Sequence, residues 1–482
     1  MKRILIITSI IFLISCGNKN TSKYKITSDN LLKTVSYLAS DELQGRLSGS
    51  KEYFEAAEFM ANEFKDLGLK PFNKNSYFQK FNVEYNQVLP GARVNLYKNG
   101  KLSKKYKLGK DYVFRGFTGS GNIKAKVVFA GYGFSIPEYD DYKNIDVKGK
   151  IVLVFKYNPK WNIEGVSWPS SLPREKARVA QEHGAIGIMY VLFPNDKYPQ
   201  KTIGSTMHGK GEQVNIPQVH IDLPVADDFF KESKYTLKEM QTRIDESKKA
   251  HSLELQTVAE IEVKTDYEKE KETVNVIGIY PGSDDKLKNE FVILGAHLDH
   301  VGGQAGEIFF PGANDNASGS AAVLEVARMF AKNKLNVKRS VMFVLFASEE
   351  SGLEGASYLA NNLGIDTNNV TAMLNMDCIA HGDSIQLGNR KTNPKLWNLA
   401  RAIDKQNAKL TISRTWANGG ADATPFHQKG IPTLYFVTTN SYTHLHYMTD
   451  KPETLNPKLY EEITKLAYLT TYKVANGDYN RE

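Results

Sequence analysis

From Thr273 onward the chain alternates short apolar runs of β type with amphipathic helical stretches, and this alternation constrains the fold more than any other feature. Apolar runs without a polar face must be covered on both sides, and amphipathic helices are what cover them. The pattern predicts an α/β domain with a mixed, mostly parallel sheet and helices on both faces. Strands are expected near Val274 to Ile279, Phe291 to His297, Val341 to Ala347, Ala372 to Asp377 and Thr433 to Val437. Helices are expected near Ala317 to Lys332, Leu353 to Asn362, Pro394 to Gln406 and Pro457 to Val474.

Upstream, Leu31, Leu32, Val35 and Leu38 recur at helical spacing behind Ser28-Asp29-Asn30, and a second helix is expected from about Glu52 to Leu67, stopped by Gly68 and Pro71. Between about Gly119 and Lys264 the texture changes to short β-rich runs, such as Ala125 to Ala130 and Ile151 to Phe155, divided by Gly, Pro and Asp-Asp turns. One helix, from about Arg174 to His183, interrupts them. The organisation read from this is a signal peptide over 1–15, a tether over 16–28, a first part of the main domain over 29–118, a β-rich insert over 119–265 and the rest of the main domain over 266–482.

The N-terminus narrows the setting. Met1-Lys2-Arg3 precedes an almost unbroken apolar run from Ile4 to Ile14, which is shorter than the roughly 20 residues needed to span a bilayer and reads as an export signal. Leu13-Ile14-Ser15-Cys16 resembles a bacterial lipobox, which implies a lipidated Cys16, export and anchoring to the bacterial cell envelope. Lys and Arg total 62 against 54 Asp and Glu, and no run of like charge concentrates the excess. No nucleic-acid partner is expected, because neither a basic stripe nor a reading motif is present. With two cysteines in 482 residues, a disulfide framework and a Cys-based zinc site are both excluded.

In open α/β sheets ligands bind beyond the carboxyl ends of the strands, so the residues that follow each apolar run are informative. They are His297-Leu298-Asp299-His300, Asn314-Asp315-Asn316, Ser348-Glu349-Glu350 and Asn375-Met376-Asp377, with His444, His446 and Asp450 near the C-terminus. Carboxylates and imidazoles gathered at one sheet edge repel or stay unpaired unless a cation collects them, and a divalent metal pair is the simplest such cation. His297 and His446 offer imidazole nitrogens, and Glu350 and Asp377 offer carboxylate oxygens, a set that suits Zn²⁺. Asp315 is placed to bridge two ions. Asp299 shares a face with His297 and is expected to accept its second N–H. Glu349, beside a ligand without being one, is the expected general base. His300, His381, His427 and His444 are read as ordinary histidines, and Cys378 as a buried thiol turned to the opposite face. There is no H-E-x-x-H helix, G-x-S-x-G elbow or phosphate-binding loop.

These segments, together with Gly312 to Gly319 and Ser348 to Gly352, resemble the M28 family of di-zinc aminopeptidases. The resemblance implies the zinc aminopeptidase-like (phosphorylase/hydrolase-like) fold and two zinc ions per chain. His297 and Asp377 would hold one ion, Glu350 and His446 the other, with Asp315 bridging. It also implies a peptide substrate cleaved after its N-terminal residue, with Glu349 as base and Asp299 orienting His297, and often a cis Asp315–Asn316 bond. Gly131-Tyr132-Gly133, Asp140-Asp141-Tyr142, Asp146 to Lys150 and His183-Gly184-Ala185 resemble a protease-associated (PA) domain. Many relatives have a tyrosine where this chain has Leu445, which leaves Tyr442 or Tyr447 for the role of oxyanion partner. The segment Gly420-Ala421-Asp422 matches a family loop near the substrate pocket. The alternatives are a carboxypeptidase or glutaminyl-cyclase-type relative, or a non-catalytic binding protein of the same build.

Overall fold

A computed structural model describes residues 23–197, 201, 204 and 213–481. The signal peptide, Cys16 and the first part of the tether lie outside the described residues.

Helix α1 (Ser28–Leu38) starts where the Thr27 side chain accepts the Asn30 N–H, and it buries Leu31, Val35 and Leu38 along one stripe. Helix α2 (Lys51–Asp66) is capped in the same way by Ser50. The main sheet is then built from β1 (Phe78–Val88), β2 (Thr265–Tyr280), β3 (Phe291–His297), β4 (Ser340–Phe346), β5 (Val370–Met376), β6 (Ile385–Leu387) and β7 (Thr433–Thr438). Short strands extend it to ten, and the long strands run in the order β1-β2-β4-β3-β5-β7-β6. The four central strands β4, β3, β5 and β7 are parallel, while β1, β2 and β6 are antiparallel additions at the flanks.

Both faces are covered, by α1, α2, α3 (Ser318–Lys332), α5 (Pro394–Gln406) and α6 (Pro457–Ala475) on one side and by α4 (Glu354–Asn361) and the short helix Ala423–Gln428 on the other. In β3, Val292, Leu294 and Ala296 enter the first core and Ile293 the second, the two-residue alternation of a strand buried on both sides. The expected α/β class with a mixed sheet is the one observed, and β3 and α5 begin and end where the sequence pattern put them.

The second sheet has eight strands. It includes Arg93–Lys98, Lys101–Lys105 and Tyr112–Phe114, which the sequence reading gave to the main domain; the inserted layer therefore begins near Arg93 instead of Gly119. The signal was weak there for a physical reason. Lys101–Lys105 is exposed at every position and Tyr112–Phe114 buried at every position, so neither alternates. The insert hangs on a two-stranded stalk, since its entry strand β1 and exit strand β2 pair from Phe78 opposite Val276 to Val88 opposite Thr265. No helix among the described residues is long and apolar enough to cross a membrane.

Candidate metal centre

The carboxyl ends of the parallel strands bring the predicted residues together. His297 is the last residue of β3, and its Nδ1 lies 3.1 Å from the Asp299 carbonyl oxygen. Donation to that carbonyl places the ring proton on Nδ1 and turns the Nε2 lone pair into the site. Nε2 faces Asp315 Oδ1 at 3.3 Å and Asp377 Oδ1 at 3.5 Å. The Asp299 carboxylate is not the primary partner expected for His297, since it stands 3.7 Å from Nδ1. It accepts instead the backbone N–H groups of Glu349 and Glu350, at 3.2 and 3.4 Å, and so shapes the turn that follows β4.

Asp315 sits in the turn Ala313–Ala317, entered through Gly312 at φ +61°, where an added Cβ would meet the Asp315 carbonyl oxygen at 2.4 Å. The Asp315–Asn316 peptide bond is cis. Asp450 accepts the N–H groups of Asn314 and Asp315, at 2.9 and 3.0 Å, and holds the turn in place. The second Asp315 oxygen, Oδ2, is 3.2 Å from His446 Nε2, which in turn is 3.0 Å from Glu350 Oε2. Asp315 thus presents one oxygen to His297 and the other to His446.

His300, read from sequence as an ordinary histidine, belongs here and is corrected. It is fully buried, with Nδ1 at 2.8 Å from Glu350 Oε1 and 3.7 Å from Asp315 Oδ2. The contact with Glu350 is close but lies off the N–H direction, so neither atom gains a hydrogen bond from it. Two groups of convergent donors result: His297, Asp315 and Asp377, and His300, Asp315, Glu350 and His446. His381 and His444 bond elsewhere, to the Thr454 carbonyl and the Thr449 hydroxyl.

Three further residues act from behind these groups. Arg46, wholly buried, donates to the carbonyls of Leu38, Leu298, Pro311 and Gly312 and so ties the end of β3 to the Asp315 turn. Burial pulls its guanidinium down to about 10, against the opposing pull of Asp299, Asp450, Asp315 and Glu350. Tyr435 on β7 donates to Asp377 Oδ2 and orients it. Asp422 is fully buried with neither oxygen hydrogen-bonded.

Glu349 stands at the edge of the cluster, its Oε2 4.0 Å from His297 Nε2. Burial pushes its carboxyl well above the usual range; His297 opposes this, and the charges of Glu350 and Asp422 add to it. The cluster opens into a cavity of about 760 Å³ whose walls include Glu349, Trp416, Ala421 and Tyr442. Of the two tyrosines considered, Tyr442 lines this cavity. Cys378 is buried as expected but also lines the cavity, because it lies past the end of β5 with φ +51°, where strand alternation no longer applies.

Residues 275–471 match peptidase family M28, and residues 123–229 match the PA domain. A probable leucine aminopeptidase of Arthroderma otae is 31% identical over 38% of this chain and 52% of its own length. Aminopeptidase YwaD of Bacillus subtilis is 24% identical over 84% of this chain and 74% of its own length. The chain spans about half the length of the leucine aminopeptidase relatives it matches. Among solved structures, an aminopeptidase from Aneurinibacillus sp. strain AM-1 shares the fold with a TM-score of 0.65 at 20% identity, over 94% of this chain and 95% of that one. The fold, the donor groups and these likenesses agree: residues 275–471 are similar to peptidase family M28 and residues 123–229 to the PA domain.

Proposed function

We propose that this chain is a di-zinc aminopeptidase that releases N-terminal residues from peptides. The observation that carries the reading is the pair of donor groups sharing Asp315, one oxygen turned to each. The donor chemistry supports metal. Asp377 Oδ1 and Glu350 Oε1 are buried without a hydrogen-bond donor, His300 has neither ring nitrogen satisfied, and the carboxylates outnumber Arg46 and the imidazoles. Cations bound among nitrogen and oxygen ligands of this kind relieve the orphaned carboxylate oxygens and the excess of negative charge, and a mixed set of imidazoles and carboxylates suits zinc.

Two zinc ions, one held by His297, Asp315 and Asp377 and the other by Asp315, Glu350 and His446 with His300 alongside, would polarise the scissile carbonyl and acidify the attacking water. The chain's own groups do the rest. Glu349, with its affinity for a proton raised by burial, takes the water proton and passes it to the leaving amine. The acidic wall attracts the substrate's ammonium group, and Trp416, Ala421 and Tyr442 provide a surface for its first side chain. A glutaminyl-cyclase-type reading, built on one metal, leaves half of these donors without a role.

Glu349→Gln is expected to keep both zinc ions by metal analysis while kcat on leucyl peptides falls by about 10²–10⁴; unchanged turnover would remove Glu349 from the mechanism. The envelope location belongs to the same proposal and rests on Leu13-Ile14-Ser15-Cys16. Labelled palmitate incorporated into the wild type and not into Cys16→Ser is the expected outcome, and equal labelling would refute the anchor.

A further inference from the structure

A second cavity, of about 320 Å³, lies where the insert meets the metal centre, and Leu445 and His446 line both cavities. The Gly204 N–H donates to the His446 carbonyl at 2.7 Å, so the insert touches the last ligand itself. This smaller cavity is lined by Arg115, just past the strand Tyr112–Phe114, and by Lys156, just past Ile151–Phe155. Both are more than nine-tenths buried, at 8% and 6% exposure.

Their charges are not balanced. Arg115 Nε and Nη1 meet no acceptor among the described residues, and none of the described residues lining the cavity is acidic. The third cation of the wall, Arg174, differs, because Glu84 takes its Nη1 and Nη2 at 2.9 and 2.7 Å. Behind Lys156, His220 is buried with both ring nitrogens unbonded, and burial and the nearby charges of Lys156 and Arg115 keep it neutral. Burial pulls the Lys156 ammonium well below its ordinary range and the charge of Arg115 pulls it further, so a proton is held there weakly unless a negative group approaches. A buried charge without a counter-charge is disfavoured, and a like charge nearby adds to the cost. An anion placed between them removes both penalties.

We propose that Arg115 and Lys156 form an anion subsite that receives the free C-terminal carboxylate of a short peptide whose other end lies at the metal centre. The enzyme is therefore selective for small peptides with an unblocked C-terminus. The substrate assignment rests on the aminopeptidase reading; the anion subsite does not.

The test compares kcat/KM for leucyl-glycine, its C-terminal amide and leucyl-glutamate amide, using the zinc-loaded full chain. The expected result is a preference of at least tenfold for the free acid over both amides, falling to within twofold in Lys156→Met and in Arg115→Met. Equal rates for acid and amide in the wild type would overturn the proposal even if neither variant folds, as would an acid preference that survives both substitutions. If leucyl-glutamate amide matches the free acid, the subsite reads an acidic side chain and the C-terminal assignment is wrong. Calorimetry with N-acetyl-leucyl-glycine and its amide separates the two readings, since neither has a free amine to be processed. If the acid binds at least tenfold more tightly while no peptide is hydrolysed, the anion subsite stands and the aminopeptidase reading fails. Equal binding sinks the subsite whatever the turnover.

Discussion

The metal centre and the small cavity beside it share Leu445 and His446 but carry opposite errors of charge. On one side, buried carboxylates exceed the cations available; on the other, none of the described residues in the wall around Arg115 and Lys156 is acidic. Two other buried charges of the insert have partners within the chain. Asp141 in the insert accepts the N–H groups of Tyr132 and Phe134 and the Tyr139 hydroxyl, with the Lys176 ammonium acting on it electrostatically, and Arg174 is paired with Glu84. Two adjoining imbalances of opposite sign among the described residues support the proposal that each is completed from outside, by cations in the first and an anion in the second.

The largest expected effect breaks the first half of the comparison. Asp315→Ala removes the carboxylate that serves both donor groups, so metal analysis should find less than one zinc per chain, with turnover lost by about 10³-fold or more. Two retained ions would mean that the groups do not depend on Asp315. A smaller effect is expected from His300→Ala, which removes the imidazole nearest Glu350; zinc affinity should fall by about 10–100-fold in competition with a chelator, and an unchanged affinity would return His300 to a structural role. The smallest sharpens the second half. Lys156 must be protonated to attract a carboxylate, and its pKa is depressed by burial and by Arg115, so the free-acid preference should weaken as pH rises, and at a lower pH than an ordinary ammonium would allow. The other groups facing it are Arg115, Arg174, Tyr157 and His220, the last already neutral, so a profile that is flat to pH 10 would exclude Lys156 from the subsite.

Much of the candidate metal centre was legible because its parts end apolar runs with clear boundaries. His297, Glu350 and Asp377 each lie just past, or at the end of, an apolar run that the pattern located within a residue or two. His300 was lost because a residue in irregular backbone after a strand has no period to say which way it points; the signal available was its place in the same His297 to His300 segment. Arg46 was not legible at all. It lies in a turn between two helices and bonds to Leu298, 252 positions away, a contact that no local pattern encodes. Arg115 and Lys156 were overlooked for a different reason. Both follow strands of the second sheet, and a single basic residue after a strand carries no sign in the sequence of whether an acid meets it.

The stalk that bears the insert has a wider consequence. Because Val88 and Thr265 stand opposite each other, the chain departs from the main sheet and rejoins it at neighbouring rungs of one ladder. An appendage attached in this manner can be exchanged, shortened or lost over evolutionary time without rethreading its host, and with it goes the wall that bears Arg115 and Lys156. On the proposed function, the cleaving centre and the site that selects its substrate are then separately heritable parts.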